Sequence, residues 1–121
     1  WCSPCIEELK PNVFIDSVLK ANSIVRLYIA LEKQESNTEL QMQSIQNWRN
    51  NVLRYNLAGY NYYVQLKSDF FKGITEKIMK GKLSLPRFAI VDSNGQIIEC
   101  NAPGPSKPEK LLKQLKRVYT P

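Results

Sequence analysis

The chain opens with the stretch WCSPC, residues 1–5, which sets two cysteines three positions apart. Pro4 favours the first turn of a helix, because the N–H group that proline lacks would have no intrahelical partner there. Cys2 then lies at the amino end of the helix and Cys5 lies one turn further in. Unpaired N–H groups and the helix dipole are expected to lower the pKa of Cys2, so that more of it is thiolate near neutral pH. The stretch predicts a redox pair in which Cys2 attacks a disulfide and Cys5 resolves the intermediate.

Composition excludes several kinds of site. The sequence has three cysteines and no histidine. A Cys–His or Ser–His catalytic pair and a zinc site with mixed Cys and His ligands are therefore impossible within this chain, and three cysteines do not complete a Cys₄ site. We expect no metal and no cofactor. At least one cysteine is unpaired within a monomer, and Cys100 is interpreted as a small buried hydrophobe, with a regulatory or intermolecular thiol as the alternative.

The formal net charge of +6 allows two interpretations. One is a partner that is acidic or a nucleic acid, and the other is a basic surface with mixed charges. The densest basic stretch, residues 107–117, lies in a predicted amphipathic helix without an aromatic-rich nucleic-acid motif, which favours the mixed surface. We expect no nucleic-acid partner. We also expect no membrane span, because no apolar run approaches about 18 residues.

Apolar spacing and turn residues predict an α/β domain over residues 1–121. The predicted elements are a helix over 4–21 kinked at Pro11, a strand over 24–31, a helix over 38–55, a short strand over 57–64, a helix over 68–80, two strands over 87–91 and 96–100 joined by an Asn-Gly turn, and a helix over 107–119.

Buried faces and caps follow from the same patterns. In the first helix, the apolar residues Ile6, Leu9, Val13 and Val18 are predicted to fall on or near one face. In the last helix, Leu111, Leu112, Leu115 and Val118 are predicted to form the buried side. Capping boxes are predicted for Ser36 with Glu39 and for Ser106 with Glu109.

The opening motif resembles the active site of thioredoxins, and is most similar to that of the extracytoplasmic bacterial proteins typified by TlpA and ResA. The stretch SLPRFAIVD, residues 84–92, is similar to the segment that bears the cis-proline of this family, and residues 92–98 resemble the hairpin after it. The resemblance implies a thioredoxin-like fold, with a mixed central sheet flanked by helices. It also implies a thiol–disulfide oxidoreductase of the periplasm or cell envelope, more as a reductant than as an oxidant. Its partners would be protein disulfide or dithiol substrates and an upstream thiol–disulfide electron donor.

The resemblance assigns the remaining site residues. Pro86 is expected to be cis and to face the disulfide, so that the backbone of Leu85 pairs with a bound substrate strand. Trp1 is expected, from its position next to Cys2 rather than from the resemblance, to pack beside the cysteines and limit access to them. Glu8 lies three residues after Cys5, where ResA-like proteins carry an active-site glutamate, and would relay a proton to or from Cys5; a solvated helix carboxylate is the alternative.

The sequence also departs from the family. Pro11 falls six residues after the second cysteine rather than five, and residues 34–82 are longer than in a minimal thioredoxin. Tyr60, Tyr62 and Tyr63 in this insertion would line a substrate groove or pack internally. The family carries a strand directly before the motif, and this chain starts after it. We therefore expect the chain to be the carboxy-terminal part of a longer one, or its missing strand to come from another molecule in a strand-swapped oligomer.

Two other functions remain open. A redox-inert module would use the proline groove only to hold an extended peptide. A thiol peroxidase would use Cys2 as its peroxidatic residue. The intact cysteine pair argues against the inert module.

Overall fold

Helices and strands are mixed along the chain, which confirms the α/β class. The computed structural model describes residues 2–119. In chain order the elements are α1 Ser3–Glu8, α2 Val13–Ala21, β1 Leu27–Glu32, α3 Thr38–Arg54, β2 Tyr60–Gln65, α4 Asp69–Lys77, β3 Phe88–Val91, β4 Ile97–Ala102 and α5 Pro108–Tyr119. Within the described residues, every helix is too short or too polar to cross a bilayer.

The chain divides into two compact units. The first comprises the residues up to Ile24 and those from Ile74 onward, and the second comprises Val25–Gly73. Strands β3 and β4 pair antiparallel in the first unit, and β1 and β2 pair parallel in the second. Hydrogen bonding among the described residues thus gives two two-stranded sheets, where a single mixed sheet was expected. A tight turn joins β3 to β4 and the crossover helix α3 joins β1 to β2, so each strand pairs with its neighbour in sequence. The single domain stays a prediction.

The first predicted helix is two helices. Helix α1 ends where the N–H of Leu9 bonds back to the carbonyls of Cys5 and Ile6, at 3.2 and 3.0 Å. Pro11 follows, and Asn12 then starts α2, because its side-chain oxygen accepts the N–H of Ile15 at 3.1 Å. Proline disfavours helix in the residue before it, and asparagine is a strong N-cap. The segment around Pro11 therefore breaks the helix, and the expected kink is wrong.

The core of the first unit lies where α2 and α5 pack on β3 and β4. Its buried members are Ile15, Leu19, Ile90, Ala102, Leu111 and Leu115. On α5 the predicted face is confirmed: Leu111 and Leu115 are buried, and Leu112 and Val118 pack against them partly buried. On α2 the prediction is wrong at Val13, which is 78% exposed while Ile15 is 0% exposed; Val18 is partly buried. The new cap at Asn12 resets the helical phase, so that Ile15 and Leu19, four residues apart, face the core.

The hairpin between β3 and β4 follows the predicted Asn-Gly signal. The side-chain oxygen of Asp92 accepts the N–H groups of Asn94 and Gln96, each at 2.9 Å. Gly95 has a φ of +80°, a left-handed conformation that glycine adopts without steric cost.

The second unit is a parallel β–α–β arrangement in which Leu27 lies opposite Tyr60 and Glu32 opposite Gln65. Strand β2 packs on α3 through Tyr63, whose ring meets that of Trp48 edge-on at 5.6 Å. The Nε2 of Gln41 donates to the Tyr63 hydroxyl at 2.7 Å. Tyr63 is therefore a packing residue within this unit.

Two smaller features complete the second unit. Tyr60 and Tyr62 are 59% and 49% exposed, so a groove-lining role for them stays a prediction. Helix α3 is capped by Asn37, whose side-chain oxygen accepts the N–H of Leu40 at 2.8 Å. The capping box predicted for Ser36 is therefore wrong by one residue, since both residue types cap well and position decided between them.

Candidate functional site

The two amino-terminal cysteines form a disulfide at the start of α1. Their sulfurs are 2.10 Å apart and their Cα atoms 5.1 Å apart. Cys2 is the N-cap residue, with extended backbone, while Cys5 lies inside the helix. Both side chains are partly buried. The predicted pair is therefore confirmed as a bonded pair that is not fully buried.

Backbone N–H groups of the first turn bond to the sulfur and to the carbonyl oxygen of Cys2. The N–H of Cys5 points to the Cys2 sulfur at 3.2 Å. The N–H of Ile6 donates to the carbonyl of Cys2 at 3.0 Å, which fixes the first turn. Pro4 lies in this turn and supplies no N–H of its own. In the reduced protein, the donor from Cys5 would favour negative charge on the Cys2 sulfur over a neutral thiol.

Glu8 ends α1, and its carboxylate binds a residue far along the chain. One oxygen accepts the backbone N–H of Ser106 at 2.8 Å, and the other accepts its hydroxyl at 2.5 Å. Helix α5 begins at Pro108, so the cap position is Lys107, and the capping box predicted between Ser106 and Glu109 is wrong by one residue. The carboxylate ties the helix that carries the cysteines to the loop that precedes α5. Proton relay between Glu8 and Cys5 stays a prediction.

Gly104 makes room for that carboxylate. It is buried, and a Cβ at this position would meet the Glu8 carboxylate and approach the Cε2 atom of Phe88 to 2.7 Å. The carboxylate lies at the end of a flexible side chain, but the ring of Phe88 packs against the core and moves less easily. Gly104 and Ser106 are therefore site residues that the sequence did not indicate. No local pattern marks them, because their partner lies roughly a hundred residues away, at a separation of 98 for Ser106.

Removing the Ser106 hydroxyl tests this tie. We expect Ser106→Ala to lower the free energy of unfolding by about 1 kcal/mol, since it deletes one hydrogen bond to a partly exposed carboxylate and leaves the backbone bond. Chemical denaturation monitored by circular dichroism measures this. Ser93→Ala, in the exposed hairpin turn, is the matched control and should change stability by less than about 0.5 kcal/mol. Equal losses in both variants would contradict the tie.

The other predicted site residues have mixed outcomes. The bond between Leu85 and Pro86 is cis, as expected. Leu85 is 44% exposed and Pro86 is partly buried, and their contact with a substrate strand stays a prediction. Trp1 lies outside the described residues. Cys100, expected to be buried, is a free and only partly buried thiol in β4.

Comparison of the chain with protein-family models, with curated proteins and with solved structures finds no significant match.

Proposed function

We propose that this chain is a thiol–disulfide oxidoreductase that exchanges disulfides with protein substrates through Cys2 and Cys5. The observation that carries the proposal is the bond between these two sulfurs, together with the N–H of Cys5 directed at the sulfur of Cys2. A disulfide that only stabilises a fold does not need one of its cysteines at a helix N-cap. A pair that exchanges disulfides needs one sulfur that is stabilised as an anion and a second sulfur close enough to bond to it.

The exchange follows from these positions. In the reduced protein, the Cys2 thiolate attacks one sulfur of a substrate disulfide and displaces the other as a thiolate. Cys5, after losing its proton, attacks the Cys2 sulfur of the mixed disulfide and releases the second substrate thiolate. Two electrons pass to the substrate, which takes up two protons, and the Cys2–Cys5 disulfide remains. An upstream dithiol donor returns the pair to the reduced form by the same steps in reverse order.

The fold and location belong to the same proposal. The order of elements, a β–α–β unit followed by a helix, an antiparallel hairpin and a last helix, agrees with a thioredoxin-like fold. The cis bond before Pro86 agrees with the family resemblance. We place the protein in the periplasm or cell envelope of a bacterium, where disulfides persist, and favour a reducing role in that compartment.

Equilibration with glutathione buffers of graded potential, followed by alkylation and mass measurement, tests the proposal. We expect two thiols to disappear together as the buffer becomes oxidising, with a midpoint near the −270 mV of a reductant rather than about −120 mV. Cys100→Ser is the matched control. It should leave this transition unchanged and remove only the alkylation of Cys100, which is the same at every buffer potential. Independent titration of the two thiols, or a pair that never bonds, would overturn the proposal.

A further inference from the structure

A basic groove lies beside helix α5, away from the cysteine pair in sequence. It has a volume of about 550 Å³, and its charged lining consists of Lys107, Lys110, Lys113 and Arg117. These four residues recur every three or four positions, so they follow one side of α5 and the residue before it. Within the part of the chain that the structure describes, no carboxylate lines the groove, and Glu109, in the first turn of the same helix, lies outside it.

The four cations are unpaired within the described residues. The ion pair seen there joins Lys10 to Glu7, on α1. Like charges three or four residues apart on a helix repel one another, so this row costs α5 some stability. An anionic occupant would relieve the repulsion, and a row of matched negative charges would gain contacts with all four cations.

The wall of the groove favours a polypeptide. Asn101 and Gln114 line it with amide groups, which both donate and accept hydrogen bonds as a peptide backbone does. The Oε1 atom of Gln114 is buried without a hydrogen-bond partner within the described residues, and a peptide N–H is a donor of the kind that it lacks. Among the residues whose side chains the structure describes, no aromatic one lines the groove, so these residues offer no platform for stacking nucleic-acid bases.

The dimensions fit a short extended segment. From Lys107 to Arg117 a helical rise of 1.5 Å per residue gives about 15 Å. An extended peptide covers this distance in about five residues, and alternate side chains fall on one face. We propose that this groove binds acidic peptide segments with carboxylates at alternate positions. This binding is independent of the redox state of Cys2 and Cys5 and of the oxidoreductase proposal.

Fluorescence anisotropy with the full chain tests the proposal. The probe is a fluorescein-labelled peptide with three glutamates at alternate positions, and its control carries glutamines instead. We expect the acidic probe alone to bind, with an affinity that falls as salt is added. Lys110→Glu should weaken binding about five-fold, because it replaces an attraction with a repulsion. Lys116→Glu is the matched control, because it makes the same charge change on the same helix. Lys116 lies outside the groove, about 120° from Lys110 around the helix axis. It should change binding less than two-fold.

Three outcomes would overturn the proposal. Equal weakening by Lys110→Glu and Lys116→Glu would show attraction to net charge alone. Binding of the glutamine peptide as well as the acidic one would remove the role of the cations. Tighter binding of a single-stranded oligonucleotide or of anionic lipid vesicles, lost in Lys110→Glu, would assign the groove to another class of partner. Circular dichroism confirms that the variants fold, and Arg117→Gln, a milder change, provides a second test of the same groove.

Discussion

Cys5→Ser should accumulate a stable mixed disulfide with a protein substrate, whereas Cys2→Ser should accumulate none. In the proposed exchange, Cys2 forms the bond to substrate and Cys5 breaks it. Without Cys5, release depends on a second thiol from solution, which lacks the advantage of being held one turn away. Both variants should reduce insulin disulfides no faster than the dithiol donor alone. Non-reducing electrophoresis and mass measurement after mixing each variant with oxidised insulin would detect the adduct.

Cys100→Ser is the control for that trapping experiment, since it removes a thiol outside the pair. It should keep full turnover and form no lasting adduct. An adduct that requires Cys100, or one that forms equally well in Cys2→Ser, would contradict the assigned order of attack. Turnover that survives in both Cys2→Ser and Cys5→Ser would remove the pair from the reaction altogether.

Ile15→Ala should be among the most destabilising single substitutions in the first unit. Ile15 is 0% exposed and belongs to the core between α2, α5 and the β3–β4 pair. Truncation of a fully buried isoleucine to alanine loses transfer free energy and leaves a cavity, so we expect a loss of about 2–5 kcal/mol in the free energy of unfolding. Urea denaturation of the oxidised protein would show a lower midpoint with an unchanged slope.

Val13→Ala provides the comparison on the same helix. Val13 is 78% exposed, and its truncation should change stability by less than about 0.5 kcal/mol. If Val13→Ala lowered the free energy of unfolding more than Ile15→Ala did, the buried face of the helix would be the one with Val13, as the sequence pattern predicted. It would contradict the cap at Asn12 and the core described for this unit.

The last and the first helix show where the sequence predicted the buried face correctly and where it did not. The last helix was predicted with its buried face, because its apolar spacing runs without interruption from Leu111 to Val118. The first helix was assigned across Pro11 as one continuous pattern, and the phase carried over from Ile6 placed Val13 inward. The competing signal was present in Asn12, a strong N-cap directly after proline, and it outweighed the apolar spacing.

The candidate site divides in the same way. Cys2 and Cys5 were predictable because their chemistry depends on a spacing within one turn. Ser106 and Gly104 were not, because tertiary structure alone brings them to Glu8. Ser106 was assigned instead to a local capping box. That hypothesis failed because α5 begins one residue later than it required, while the Ser106 hydroxyl donates to a distant carboxylate that no local pattern indicates.

The break around Pro11 has a consequence for protein engineering. None of the residues of α1 is buried. The buried core of this unit is formed by α2, α5, β3 and β4. Ser3 and Pro4, between the cysteines, are both exposed. Libraries that vary these two residues should therefore change the reduction potential of the cysteine pair with little loss of solubility or yield. Variation of this dipeptide and improvement of the α2–α5 core can then proceed separately and be combined afterwards, provided that the contact between Glu8 and Ser106 is kept.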